Sequence, residues 1–276
     1  MPATVRSLAS RSPSLLLADT SPAEAHVLRL AARAAEDAGD FPGALRLVSG
    51  LPDGRASRLW RSELELAVAL DAEDLAGVAC WLVHPAVRWA RERPTGAVFE
   101  RHAAQILKTM GVGAEYRLHR TAAVACTDPV VVDAGLFDTG LFGDYLLSLA
   151  GSPLLERLSG VELWPAQFSL VWQVVAVGAR ELVMCDLWTG RDVRVQRRLG
   201  TDALVRGTIA YGRVVQVAGD PELAFVLPAE RVDQRCATRL LRARRQGSGP
   251  EERLRAVGHS RRRAMSFASA AAEYRP

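Results

Sequence analysis

The sequence predicts an α+β protein with a helical N-terminal half, a small antiparallel β-barrel and a basic C-terminal helix. Three observations predict it. Apolar residues recur at helical spacing from Val27 onward. From Phe168 the apolar period changes to two, with turn residues between short runs. After Pro228 arginine dominates, with 12 Arg against 5 acids, while the whole chain carries +4, so residues 1–227 carry −3. At 276 residues, 49% apolar and 24% charged, the chain has material for a sizeable core. That composition excludes a collagen, a disulfide scaffold and a wholly disordered chain.

Residues 1–20 are rich in Ser, Pro and Ala without periodicity and read as a disordered arm. The helical domain spans 21–120. It opens at Ser21-Pro22-Ala23-Glu24, with Ser at the N-cap, Pro at the first helical position and Glu three residues after the Ser. Val27, Leu28, Leu30, Ala31, Ala34 and Ala38 follow on one face. The string Ala38-Gly39-Asp40-Phe41-Pro42-Gly43-Ala44-Leu45 resembles the turn of a tetratricopeptide repeat, whose period is about 34 residues. A shift of that length places Asp40 on Asp74, Phe41 on Leu75, Gly43 on Gly77 and Leu30 on Leu64. Glu73 replaces the turn glycine in the second copy, and His84-Pro85 interrupts the pattern after it. A further helix covers 94–110, with Val98, Phe99, Ala103, Ile106 and Leu107 on one side. Trp60, Trp81 and Trp89 belong to this half. They are candidates for lining a peptide groove, with burial in the core as the competing role.

Residues 121–163 form a mixed connecting segment. Pro129-Val130-Val131-Val132 reads as a short strand, followed by Asp133, Gly135, Asp138, Gly140 and Gly143 and a helix from Asp144 to about Leu158. The barrel spans 164–227. Its strands are Leu170–Val177, Leu182–Cys185, the alternation around Val193 and Val195, the face Ile209, Tyr211, Val215 and Val217, and the run Leu223, Phe225, Leu227. Pro228–Gln246 reads as the basic helix. Gly247-Ser248-Gly249-Pro250 ends it, and 247–276 reads as a disordered basic tail.

The block formed by Leu170–Val177, Asp186-Leu187-Trp188-Thr189-Gly190, Arg191–Val195 and Thr208–Val217 is similar to one in uncharacterised actinobacterial proteins that also carry a C-terminal SEC-C zinc motif. It covers about a quarter of the chain. The resemblance implies a fold and an unassigned role rather than an activity. This tail has no cysteine cluster, so no zinc site carries over.

Few constellations carry chemistry. Asp138-Thr139-Gly140 is the triplet of aspartic peptidases, where two close carboxylates share a proton. Here its flanks are Leu136-Phe137 and a helix, and a glycine-rich turn with a local Asx hydrogen bond is the default reading. Neither phosphate-loop spacing nor a nucleophile elbow occurs. His26, His84, His102, His119 and His259 show no metal-ligand spacing, though His102 and His119 are candidates to converge with Asp133. Cys80, Cys126, Cys185 and Cys236 form no C-x-x-C pair. No cofactor and no metal are expected. The run Leu15–Ala18 is too short for a signal peptide or a membrane span, so the expectation is a cytoplasmic protein without a membrane partner.

Only Lys108 is lysine, so arginine abundance reflects a GC-rich coding bias and its distribution is the informative quantity. Arg231, Arg235, Arg239, Arg242 and Arg245 are spaced to share one helix face, with Val232, Cys236, Leu240 and Ala243 on the neighbouring stripe. Arg261-Arg262-Arg263 forms a second cluster, and no aromatic residue interleaves the stripe. These features lead first to a non-enzymatic protein–protein interaction or adaptor module with an unknown protein partner. One alternative is a nucleic-acid-binding regulator using the arginine stripe. The other is a hydrolase of aspartic-peptidase type around Asp138.

Overall fold

A computed structural model describes residues 21–71, 74–198, 201–217 and 223–273. The predicted arm at 1–20, Glu73 and the turn at 219–221 lie outside the described residues. The helices are α1 (Pro22–Asp37), α2 (Phe41–Ser49), α3 (Arg55–Asp71), α4 (Leu75–Trp81), α5 (Val83–Arg91), α6 (Gly96–Thr109), α7 (Ala114–Thr127), α8 (Pro129–Leu136), α9 (Leu141–Ser148) and α10 (Pro153–Arg157). A 3-10 turn at Val161–Ala166 leads into six strands. These are β1 (Ser169–Val177), β2 (Glu181–Asp186), β3 (Asp192–Gln196), β4 (Ile209–Gln216), β5 (Leu223–Phe225) and β6 (Glu230–Arg231). Helices α11 (Gln234–Arg245) and α12 (Pro250–Glu273) follow. The chain divides into two units, 1–84 with 146–159 and 85–145 with 160–276. Residues 85–120 therefore group with the barrel rather than with the first helices.

In the first unit, α1 starts at the predicted capping box. Ser21 Oγ accepts from the Glu24 N–H at 3.3 Å, and the Glu24 carboxylate accepts from the Ser21 N–H at 2.9 Å. Asp40 caps α2 by accepting from the Gly43 N–H at 2.8 Å, and Asp74 caps α4 by accepting from the Gly77 N–H at 2.8 Å. The offset read in the sequence is thus a repeated helix start. A methyl group at either glycine would fall on the capping carboxylate. Successive helices pack on one another from α1 to α4.

Trp60 and Trp81 line no groove. Both are buried, at 6% and 2% exposure. The Trp60 indole donates to the Glu36 carboxylate at 3.0 Å, and the Trp81 indole donates to the Glu63 carbonyl at 2.7 Å. Trp81 also meets Phe41 edge to face at 4.9 Å between ring centres. Two satisfied indoles anchor this core.

The second unit holds most departures from expectation. Pro129–Leu136 is helix α8, not a strand. Asp128 accepts from the Val130 and Val131 N–H groups, and Pro129 occupies the first turn. This start chemistry prevails over the strand preference of three valines. The predicted single helix Asp144–Leu158 is two, because Ser152 starts α10 by accepting from the Leu155 N–H at 3.2 Å. Trp89 on α5 is half-buried, edge to face with Tyr145 at 5.8 Å and covered by the Arg93 guanidinium at 3.9 Å.

Five strands close a ring in the order β1-β2-β3-β5-β4 and back to β1, and β6 adds to β4. The barrel is mixed rather than wholly antiparallel, since β3 and β5 pair in parallel at Val195 and Leu223. Trp172, Val174, Leu182, Met184, Val195, Val214 and Phe225 fill its interior. The basic helix begins at Gln234 rather than Pro228. Glu230 and Arg231 are drawn into pairing with β4, and Asp233 caps α11 through the Cys236 N–H at 2.7 Å. Val232, Cys236, Leu240 and Ala243 are buried, as the stripe predicts. The expected disordered tail is instead α12 across 250–273, packed on α6 and α11 with Leu254, Ala256 and Val257 buried.

Candidate functional site

Helix α8 is almost wholly buried, and it carries Asp133 against the barrel wall. Arg213 on β4 stands opposite Ser169 on β1. Arg213 Nε donates to Asp133 Oδ1 at 2.8 Å and Nη2 to Asp133 Oδ2 at 3.3 Å. The same Nη2 reaches Asp138 Oδ1 at 3.5 Å, and the guanidinium lies 4.3 Å from the centre of the Phe137 ring. The Ser169 hydroxyl donates to Asp133, and Arg253 on α12 donates to Asp138 Oδ2. Two carboxylates and two guanidiniums thus balance in a largely buried network. Burial, and then the neighbouring Asp133 charge, push the Asp138 carboxyl up, while Arg253 and Arg213 pull it back. Burial keeps the Tyr211 phenol well above its ordinary range.

This environment bears on the peptidase alternative. Two carboxylates do come together, but Arg213 bridges them and Arg253 holds the second. A catalytic dyad shares a proton because nothing else neutralises its charge. Here the cations do so.

Beside the network opens a cleft of about 330 Å³. Asp138, Arg253, Tyr211 and Ser248 line it together with Phe168 and Trp188. The Asp186–Gly190 turn presents the tryptophan. Buried Asp186 accepts from the Trp188 N–H at 2.8 Å and from the Thr189 hydroxyl at 2.8 Å. Gly190 closes the turn at φ +71°, a conformation that favours glycine. Trp188 stays 38% exposed and Phe168 66% exposed. Arg244 of α11 lies over both rings, at 5.1 Å from Trp188 and 5.6 Å from Phe168, and Arg245 lies 5.8 Å from Trp188. The linear stripe has no aromatic residue of its own, but its last member, Arg245, meets the barrel's Trp188 in space. Sequence reasoning missed Phe168, Trp188 and Arg244 as a group. The one signal for them was a tryptophan at the variable position of a turn motif.

Arg235, Arg239, Arg242 and Arg245 all lie exposed on α11, and Arg231 lies exposed on β6. None forms an ion pair among the described residues. The second cluster differs. Arg261 donates to Asp128 and to Glu230, the latter at 2.7 Å, and Arg263 donates to Asp233 at 2.7 Å.

Neither His102 nor His119 bonds to Asp133 among the described residues. His119 is exposed on α7, and Asp133 is taken by Arg213 and Ser169. His102 is buried on α6, where burial and then Arg101 hold its imidazole below the ordinary value. Cys236 is buried, and burial pushes its thiol up to about 12. Among the described residues no group of three His, Cys, Asp or Glu gathers as a metal site, and no helix is long and apolar enough to cross a membrane.

No family model, curated protein or solved structure matches the chain. Fold and site alone define its class, an α+β protein with capped helical hairpins and a small mixed barrel. Helix α11 carries an arginine ridge, and the barrel and α11 together frame an aromatic-rimmed cleft.

Proposed function

We propose that the protein is a non-enzymatic binding module whose partner is single-stranded nucleic acid. One observation carries this reading: exposed arginines, without acidic partners among the described residues, run along α11 and end at the exposed rings of Phe168 and Trp188. Phosphates need hydrated cations that are not already neutralised, and unpaired bases need flat apolar faces. Arg245, the last of the stripe, meets the Trp188 ring at 5.8 Å and so joins the two features. The ridge also carries a cost. Neighbouring like charges three or four residues apart each destabilise a helix by about 0.2–0.5 kcal/mol. An anionic partner relieves that repulsion. The protein-adaptor reading keeps only half-buried Trp89 of its three candidate groove aromatics, since Trp60 and Trp81 are core residues.

The test is fluorescence anisotropy of labelled single strands and matched duplexes with the intact protein over a salt series. Single strands should bind more tightly, with log K falling against log salt by about 0.7 per phosphate contacted. Absence of binding at about 50 mM salt, or a preference for duplex, would overturn the proposal.

A further inference from the structure

The ridge explains contact with any phosphate chain but not the cleft at its end. That cleft has three properties. Its volume, about 330 Å³, lies at the low end of the range for small-ligand sites, roughly 300–1,000 Å³. It therefore admits one planar group and excludes a duplex. Its rim has two aromatic rings, Trp188 and Phe168, with the Arg244 guanidinium over both. Its lining combines a carboxylate, Asp138, with a guanidinium, Arg253.

The hydrogen-bond inventory narrows the ligand. A carboxylate has about four acceptor positions, two on each oxygen. In Asp138, Oδ1 receives Arg213 and Oδ2 receives Arg253, so each oxygen keeps capacity for one further donor. Arg253 places one nitrogen on Asp138, and a guanidinium carries five N–H donors in all. The complement is a flat ring system with two adjacent N–H donors on one edge and acceptors on the next. Among the four bases, guanine has that pattern: N1–H and the 2-amino group face a carboxylate, and O6 and N7 suit an arginine. Adenine and cytosine offer a carboxylate only one amino group, and uracil only one ring N–H.

We infer that this cleft takes a single unstacked guanine, held between the aromatic rim and the Asp138–Arg253 pair. The inference rests on the nucleic-acid reading for its source of guanine, a base within a bound strand. A free guanine nucleotide carries the same chemistry.

The experiment changes the ligand rather than the protein, because Asp138 also holds the fold together. Short oligothymidylates carrying one central guanine, inosine, adenine or abasic site are titrated into the intact protein at fixed low salt. Inosine differs from guanosine only by loss of the 2-amino group. The guanine strand should bind roughly tenfold more tightly than the inosine strand, and the abasic strand most weakly. Trp188→Ala should weaken the guanine strand more than it weakens the abasic strand. Equal affinities for guanine, inosine and abasic strands, with salt-dependent binding intact, would overturn the guanine site and leave the ridge standing. A second arm titrates guanosine monophosphate alone, read by Trp fluorescence. Saturable quenching that inosine monophosphate does not match, with no strand binding, would support the guanine site and overturn the strand reading. Failure of both ligands would overturn both.

Discussion

Helix α11 carries Arg235, Arg239, Arg242, Arg244 and Arg245, and helix α12 carries Arg253, Arg255, Arg261, Arg262 and Arg263. Each helix carries five arginines. On α12, Arg253 meets Asp138, Arg261 meets Asp128 and Glu230, Arg263 meets Asp233, and Arg255 pairs with Glu251 and Glu252 one turn back. On α11 no arginine meets an acid among the described residues, and Arg244 and Arg245 lie instead over aromatic rings. The same side chain thus serves as a tie at four positions of α12, Arg262 being exposed, and as an exposed cation along the α11 stripe. The count of arginines alone cannot separate these roles. A guanidinium already satisfied by carboxylates offers little to a phosphate, while an unpaired one retains its donors and its counterions.

The comparison breaks most severely on its paired side. Arg213 is fully enclosed, with its side chain 2% exposed, and it neutralises Asp133. Arg213→Met should cost about 3–5 kcal/mol in urea unfolding, because it leaves a buried carboxylate without its cation. A loss below about 1 kcal/mol would mean that the network contributes little. Next comes Arg261→Ala, which removes bonds to two carboxylates at a partly buried position and should cost about 1.5–3 kcal/mol in the same assay.

A smaller effect comes with acid. Asp233 caps α11 and binds Arg263 of α12. Burial works against its charge, but the Cys236 N–H, Arg263 and Ser260 outweigh it and hold the carboxyl below its ordinary value. A depressed folded value means that this contribution is complete above the unfolded carboxylate pKa. It is lost as pH falls through the folded value. Urea midpoints against pH should therefore fall on the acid side, and Asp233→Asn should flatten that limb. Smallest of all is the stability effect of Arg239→Ala, Arg242→Ala and Arg245→Ala. Each should stay within about 0.5 kcal/mol of the parent, since these side chains are exposed and make no ion pair among the described residues.

Much of the fold is legible because local chemistry and burial agree. Ser21-Pro22-Ala23-Glu24, the Asp40–Gly43 and Asp74–Gly77 starts, and the alternation around Val193 and Val195 each state their own structure. Helix α8 is obscured because it is buried all round, so its valines show no helical period. Helix α12 is obscured by its Ser, Ala and Arg content, although Pro250-Glu251-Glu252 carries the proline and the acids that favour a first turn. The parallel pairing of β3 with β5 is a consequence of ring closure, which no local signal encodes. The cleft is least legible. Phe168, Trp188 and Arg244 converge only once the barrel has closed and α11 has docked.

The most direct measurement is the salt slope of single-strand binding for three proteins side by side: the parent, the combined Arg239→Ala, Arg242→Ala and Arg245→Ala variant, and Arg255→Ala. If unpaired arginines contact phosphate and paired ones do not, the ridge variant loses up to about one unit of slope per arginine in contact, and Arg255→Ala keeps the parental slope. Equal losses in both variants, or a parental slope in the ridge variant, would contradict the division of the arginines into ties and contacts.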